Sequence, residues 1–144
     1  MINSHTAPYA ALVLRIGLGA MFLAHSIWLK LFVFTLPGTA QFFGSIGLPP
    51  ALAYVVFALE ALGGLALILG VATRVVALVL IPVLLGATWA HAGNGWLFTN
   101  QNGGWEYPLI LTLATSVQAL LGNGAWALHI KRSSAALHTK AARA

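Results

Sequence analysis

Long apolar runs, separated by short polar or glycine-rich stretches, form the main pattern of this sequence. A helix needs about 20 apolar residues, each rising 1.5 Å, to cross the hydrocarbon core of a bilayer. Four runs meet this requirement and predict membrane spans near residues 8–29, 51–70, 74–92 and 106–124. Because the connections are short, consecutive helices should be antiparallel neighbours. The pattern therefore predicts an all-α integral membrane protein, an antiparallel bundle of four transmembrane helices.

The stretch 31–50 is also apolar, but proline and glycine interrupt it at Pro37, Gly38, Pro49 and Pro50. Proline removes a backbone donor and clashes with the preceding helical turn, so a full span is not expected here. We expect a short helix over about Thr39–Ile46 that lies in the membrane interface between spans one and two.

Composition supports a membrane protein with a single domain over residues 1–144. Of the 144 residues, 60% are hydrophobic and 6% are charged, whereas a soluble domain is about 25% charged. The chain has no cysteine. This excludes thiol exchange, disulfide relay and iron–sulfur ligation by its own side chains.

The charges are distributed unevenly and predict an orientation. The tail 129–144 carries most of the cations, namely Lys131, Arg132, Lys140 and Arg143. With four spans, Arg74 lies on the same side as this tail, and Lys30 is the only cation on the other side. The positive-inside rule then places both termini in the cytoplasm. The basic tail is explained as a topology signal, and no nucleic-acid partner is predicted.

Glu60 lies midway along the second span. A central acidic residue opposes membrane insertion by about 3 kcal/mol, so it needs an internal partner. At 100° per residue, Phe57, Glu60 and Gly64 share one face of the helix, with Gly63 beside it. Glycine lets a neighbouring helix approach closely. We therefore expect Glu60 to point into the bundle.

Helix rise places Arg15, Glu60 and Gln118 at a similar depth, roughly 6 to 15 Å below the cytoplasmic surface. Our main prediction is a buried Arg15–Glu60 ion pair, extended by Gln118 and Thr115. In low dielectric an unpaired member would be costly, while a hydrogen-bonded pair is tolerated. Two interpretations stay open: a structural pair that holds the register of the bundle, or a path for protons or anions.

A second polar group, at the outer ends of the helices, comprises His25, Lys30, His91, Asn94 and Glu106. Imidazoles there could hydrogen-bond a quinone carbonyl, transfer protons, or ligate a metal or haem. The two histidines lack the i, i+4 spacing of a metal site on one helix, so neither metal nor haem is predicted. Simpler explanations also stand: interfacial histidines, a snorkelling lysine, and a glutamate that caps its helix.

Several stretches together resemble the DoxX family of small four-helix membrane proteins. They run from about residue 12 to 124 and comprise Leu14-Arg15-Ile16-Gly17-Leu18-Gly19, Phe22-Leu23-Ala24-His25, Lys30-Leu31, Gly47-Leu48-Pro49, Glu60-Ala61-Leu62-Gly63-Gly64, Leu69-Gly70 with Thr73-Arg74, His91, Phe98 and Gly103-Gly104-Trp105-Glu106-Tyr107-Pro108-Leu109. One departure follows His25, where the resemblance implies glycine and this chain has Ser26.

The resemblance implies a bacterial inner-membrane protein with a redox role. DoxD-like relatives take part in thiosulfate:quinone oxidoreduction, and some DoxX members are linked to redox-stress assemblies. The residues that match the shared motifs are Arg15, His25, Lys30, Glu60, Arg74, His91, Trp105, Glu106 and Tyr107. From these we take a candidate ligand site of His25, Lys30, His91, Trp105, Glu106 and Tyr107, with His25, His91 and Glu106 as candidates for catalysis.

Three hypotheses for function remain. The first is a redox-associated subunit that binds a quinone or a small sulfur compound at the outer mouth of the bundle and works with a redox partner protein. The second is a non-enzymatic membrane anchor that recruits a soluble redox protein. The third is permeation of a small solute by a homo-oligomer, since four short spans without an inverted repeat are few for a monomeric carrier.

Overall fold

The computed structural model describes residues 3–128, and the predicted basic tail 129–144 lies outside the described residues. Within 3–128 the secondary structure is helical, without strands. The elements are α1 (Ala7–Leu23), a π-helical segment (Ala24–Val33) that continues α1 without a break, α2 (Leu36–Ser45), α3 (Leu52–Leu69), α4 (Thr73–Ala90), a 3₁₀ turn (Ala92–Asn94) and α5 (Glu106–Leu121). Helices thus occupy the predicted positions, and the π-helical geometry was not predicted.

Local sequence explains where the helices begin and end. Proline lies in the first turn of α1, α2 and α5, where a missing N–H costs little. The side chain of Thr35 caps α2 by accepting from the backbone N–H of Gly38 at 3.2 Å. Gly70 ends α3 in the left-handed conformation, at φ 72°, which glycine adopts without strain. A tight turn then leads directly into α4.

The four longer helices pack as antiparallel neighbours in a closed arrangement. Helix α1 contacts α3 and α5, and α4 contacts the same two helices. One end of the bundle, here called the basal end, holds the start of α1, the turn at 70–72 and the end of α5. The opposite loop end holds the π segment, α2 and the loop 92–105. Candidate functional residues lie near both ends.

Glycines set the register between α1 and α3. A Cβ atom added to Gly19 would lie 2.7 Å from the carbonyl oxygen of Gly64, and one added to Gly64 would lie 2.9 Å from that of Gly19. The two backbones therefore touch here. The predicted glycine face of α3 is the face that receives α1.

Apolar side chains both fill the bundle and cover its outside. The buried core comprises Leu18, Phe22, Leu67, Leu80 and Leu84. Large apolar side chains also face outward, including Val13, Leu62 and Leu120, which are 71%, 69% and 79% exposed. Such a surface suits lipid and would be unfavourable in water.

Three helices are long and apolar enough to cross a membrane: Ala7–Val33, Leu52–Leu69 and Thr73–Ala90. Helix α5 is shorter, at 16 residues. Its crossing of the membrane, and the interfacial position of α2, stay predictions. The structure is that of an all-helical membrane protein with at least these three candidate spans in residues 3–128.

Candidate functional site

Glu60 forms an ion pair with Lys30, not with Arg15. The Nζ atom of Lys30 lies 2.5 Å from Oε2 of Glu60, and the two side chains are 17% and 8% exposed. The pair joins α3 to the π segment near the loop end. The prediction of an Arg15–Glu60 pair is therefore wrong, although Arg15, Glu60 and Gln118 are all buried.

The direction of side chains in antiparallel helices explains this correction. Side chains on a helix lean toward its N-terminus. Lys30 therefore leans down from the loop end, while Glu60 leans up toward it. Arg15 leans away from Glu60 toward the basal end. Helix rise gives the depth of each Cα atom but not the direction in which its side chain leans. The prediction from depth alone therefore paired Glu60 with Arg15 and not with Lys30.

The guanidinium of Arg15 binds backbone carbonyls at the basal end. Its Nη1 donates to Leu67 at 3.0 Å and to Ile68 at 2.6 Å, and its Nη2 donates to Ala125 at 2.9 Å. Two of these carbonyls belong to the last turn of α3, where the helix dipole favours a cation. Arg15 thus ties α1 to the end of α3 and to the chain after α5.

His25 stacks on Tyr107 where α1 meets α5. The ring centroids are 5.8 Å apart and the ring planes differ by 23°. The Nδ1 atom of His25 lies 2.8 Å from the carbonyl oxygen of Met21, and the Tyr107 hydroxyl donates to the Met21 sulfur at 3.4 Å. The Tyr107 side chain is 36% exposed and His25 is half-buried. Two predicted ligand residues therefore form one partly accessible surface, and sequence analysis did not include Met21 in it.

His91 follows α4 directly and contacts the loop 92–105, so it is not part of this surface. Its Nδ1 lies 3.0 Å from the carbonyl oxygen of Gly103 and 3.1 Å from that of Asn102. Asn94 donates to the same two oxygens. These contacts hold the loop back against the end of α4. The structure shows His91 as an anchor of the loop.

Glu106 and Trp105 also hold the loop. Oε1 of Glu106 accepts from the backbone N–H of Phe98 at 2.9 Å. The Trp105 ring packs edge-on against Trp96, with centroids 4.5 Å apart. Both residues therefore have structural partners in the loop. Within residues 3–128, no group of three His, Cys, Asp or Glu side chains could hold a metal ion.

The predicted ligand set thus separates into three places. His25 and Tyr107 form the stacked pair, Lys30 is paired with Glu60, and His91, Trp105 and Glu106 support the loop. The π segment was not anticipated, and it carries both His25 and Lys30, five residues apart. Because π-helical backbone hydrogen bonds join residues i and i+5, these two residues are one turn apart, and such geometry is frequent at functional sites.

Comparison with known proteins identifies the family of this chain. A family model described as DoxX matches residues 10–93. A curated protein of Bacillus subtilis (strain 168), named "Putative oxidoreductase CatD", is 45% identical over 76 residues, which are 53% of this chain and 54% of that protein. The chain spans about half the length of that relative. No solved structure matches the chain. Because the family match covers more than half of its residues, the chain belongs to the DoxX family.

Proposed function

We propose that this protein is a redox-associated membrane protein that binds a quinone headgroup at the loop end, against His25 and Tyr107. The observation that carries the proposal is the stacked, partly exposed pair of an imidazole and a phenol. The relative named as an oxidoreductase supports a redox role. Flat aromatic surfaces with a few polar atoms are typical of small-molecule sites between helices.

The hydrogen bond to Met21 determines which nitrogen of His25 faces a ligand. A backbone carbonyl can only accept, so Nδ1 must carry the hydrogen. Nε2 has no hydrogen-bond partner within residues 3–128. In the neutral ring Nε2 accepts a hydrogen bond from a quinol hydroxyl, and in the protonated ring it donates to a quinone carbonyl. One atom of His25 can therefore bind both redox forms.

Proton exchange is the chemical role that we propose for His25. Reduction of a quinone takes up two electrons and two protons; Nε2 supplies one proton at the headgroup, and water at this partly exposed surface supplies the other and reprotonates the imidazole. The electrons come from a partner redox protein, because no side chain of this cysteine-free chain carries them. The Tyr107 ring orients the headgroup by stacking, and the isoprenoid tail lies among the outward-facing apolar side chains.

The same proposal includes the position of the chain in the membrane. Helix α5 serves as a fourth span, α2 lies at the interface, and both termini are cytoplasmic in a bacterial inner membrane. The packing of α5 against both α1 and α4 supports this position. The quinone surface then lies at the outer side of the membrane.

The test is to extract the protein gently, release its small molecules with solvent, and quantify quinone per chain by mass spectrometry. We expect close to one quinone per chain, a loss of at least fivefold in His25→Ala and Tyr107→Leu, and retention in Tyr107→Phe, which keeps the ring. His5→Ala is the matched control, because His5 is exposed at the basal end. Unchanged quinone in His25→Ala, or lipid alone in the unmodified protein, would reject the proposal.

A further inference from the structure

A buried polar layer at the basal end has more hydrogen-bonding atoms than partners. Four side-chain atoms are buried without a hydrogen bond in the described part of the chain: Arg15 Nε, Thr73 Oγ1, Thr115 Oγ1 and Gln118 Oε1. Each of the four residues is 0% exposed. An unsatisfied buried polar atom costs about 1 to 3 kcal/mol, so several in one layer indicate that something else occupies it.

The fold brings these residues to the same level. Arg15 binds carbonyls in the last turn of α3, and Thr73 begins α4 just after that turn. Gln118 lies near the end of α5 and donates to the carbonyl oxygen of Gly122. Thr115 is one turn further into the bundle on the same face of α5. All four are therefore enclosed between helices in the basal half of the bundle.

Thr115 differs from other hydroxyl residues in the helices of this protein. Thr88 and Thr112 each donate to the carbonyl oxygen four residues earlier, at 2.8 Å, which is the usual solution for a helical threonine. Thr115 has the same option but makes no such bond. Its hydroxyl is thus available for a group inside the bundle.

Charge decides what kind of group this is. The chain has two acidic residues: Glu60 is paired with Lys30, and Glu106 binds the loop at the opposite end. The carbonyl groups that Arg15 binds carry only partial negative charge, and no carboxylate among residues 3–128 pairs with it. Water would satisfy hydrogen bonds but would leave that charge in a low dielectric.

We propose that the basal layer binds one small inorganic anion of the halide class. Its hydrogen-bond donors are Arg15 Nε–H and the hydroxyls of Thr73 and Thr115. The amide nitrogen of Gln118 donates to Gly122, and its Oε1 accepts from a water that accompanies the anion, since each threonine hydroxyl has one hydrogen to donate. A shallow groove of ≈ 360 Å³, lined in part by Ala11 and Gly124, lies on the basal side between the start of α1 and the end of α5.

The experiment measures anion-dependent stability of the purified protein in detergent. Sodium gluconate is replaced stepwise by sodium chloride at constant ionic strength, and thermal unfolding is followed at each step. We expect Tm to rise with the logarithm of the chloride concentration above the dissociation constant, by about 5 to 10 °C at 100 times that constant. Calorimetric titration with chloride and with bromide should give one site per chain.

Variants separate an anion site from a structural layer. In Thr115→Val and Thr73→Val the apparent dissociation constant for chloride should rise at least tenfold, while Thr115→Ser should keep the affinity. Thr112→Val is the matched control, because that buried threonine on the same helix already donates to Pro108. The proposal fails if chloride shifts no Tm at constant ionic strength, or if Thr115→Val responds to chloride as fully as the unmodified protein does.

Discussion

At the residue scale, the Lys30–Glu60 ion pair joins the π segment to α3 near the loop end of the bundle. Glu60 is almost fully enclosed, while Lys30 is nearer the surface. A buried ion pair adds little net stability compared with apolar residues, but removing one partner leaves an expensive charge. Substitution of one residue should therefore lower stability much more than simultaneous substitution of both.

We expect Lys30→Met to lower the free energy of unfolding by about 3 kcal/mol, since it leaves the Glu60 carboxylate without a partner. Glu60→Gln should cost less, because Lys30 can extend toward the interface. The double variant Lys30→Met/Glu60→Gln should recover most of the loss. Tryptophan fluorescence during unfolding in mixed detergent gives the free energy of unfolding of the two single variants and the double variant.

Arg74→Met provides a control for that series, because Arg74 is exposed and its nearest acceptor is the carbonyl oxygen of Leu120 at 3.4 Å. This substitution should change the free energy of unfolding by less than about 0.5 kcal/mol. A double variant of Arg15 and Glu60 that restored stability, where the Lys30 double variant did not, would contradict the pairing in the structure.

At the element scale, the fold depends on how closely α1 approaches α3. The contact of Gly19 with Gly64 sets the register that brings Arg15 to the end of α3 and Lys30 within reach of Glu60. One glycine contact thus positions two charged residues that are far apart on α1. A wider spacing of these helices should weaken both the hydrogen bonds of Arg15 to the end of α3 and the Lys30–Glu60 ion pair.

We predict that Gly19→Ala and Gly64→Ala each lower stability by about 2 kcal/mol, because the added methyl group meets backbone and cannot be relieved by a rotamer change. Gly17→Ala is the matched control on the same helix, since a Cβ there meets nothing within 4 Å. It should be neutral or slightly stabilising. Thermal unfolding compares the three, and equal effects at positions 17 and 19 would reject a tight helix contact.

At the scale of the whole molecule, α5 determines how many times the chain crosses the membrane. Three helices satisfy the length and hydropathy of a span, and α5 is the shorter one. If α5 crosses, both ends of the described chain lie on one side of the membrane. If it does not, they lie on opposite sides.

Single engineered cysteines can test this cleanly, because the chain has none of its own. We expect an impermeant maleimide added to intact cells to label Asn100→Cys in the loop 92–105, and to leave Ser4→Cys and Asn123→Cys unlabelled until the membrane is opened. Labelling of Asn123→Cys together with Asn100→Cys in intact cells would show that α5 does not cross.

The positions of the helices follow from the amino-acid sequence alone. Long apolar runs can bury their backbone in lipid only as helices, so helix positions follow from composition and from proline and glycine. The enclosure of Glu60 was predictable for the same reason, because a central carboxylate cannot face lipid.

Which side chains contact each other depends on the tertiary structure. The partner of Glu60 depends on the register between α1 and α3 and on the direction in which side chains lean, and both are properties of two packed helices. The stacking of His25 on Tyr107 and the role of His91 in the loop likewise arise from contacts between separate parts of the chain. A sequence pattern indicates which residues must be buried, whereas the packing of the helices determines which residues they contact.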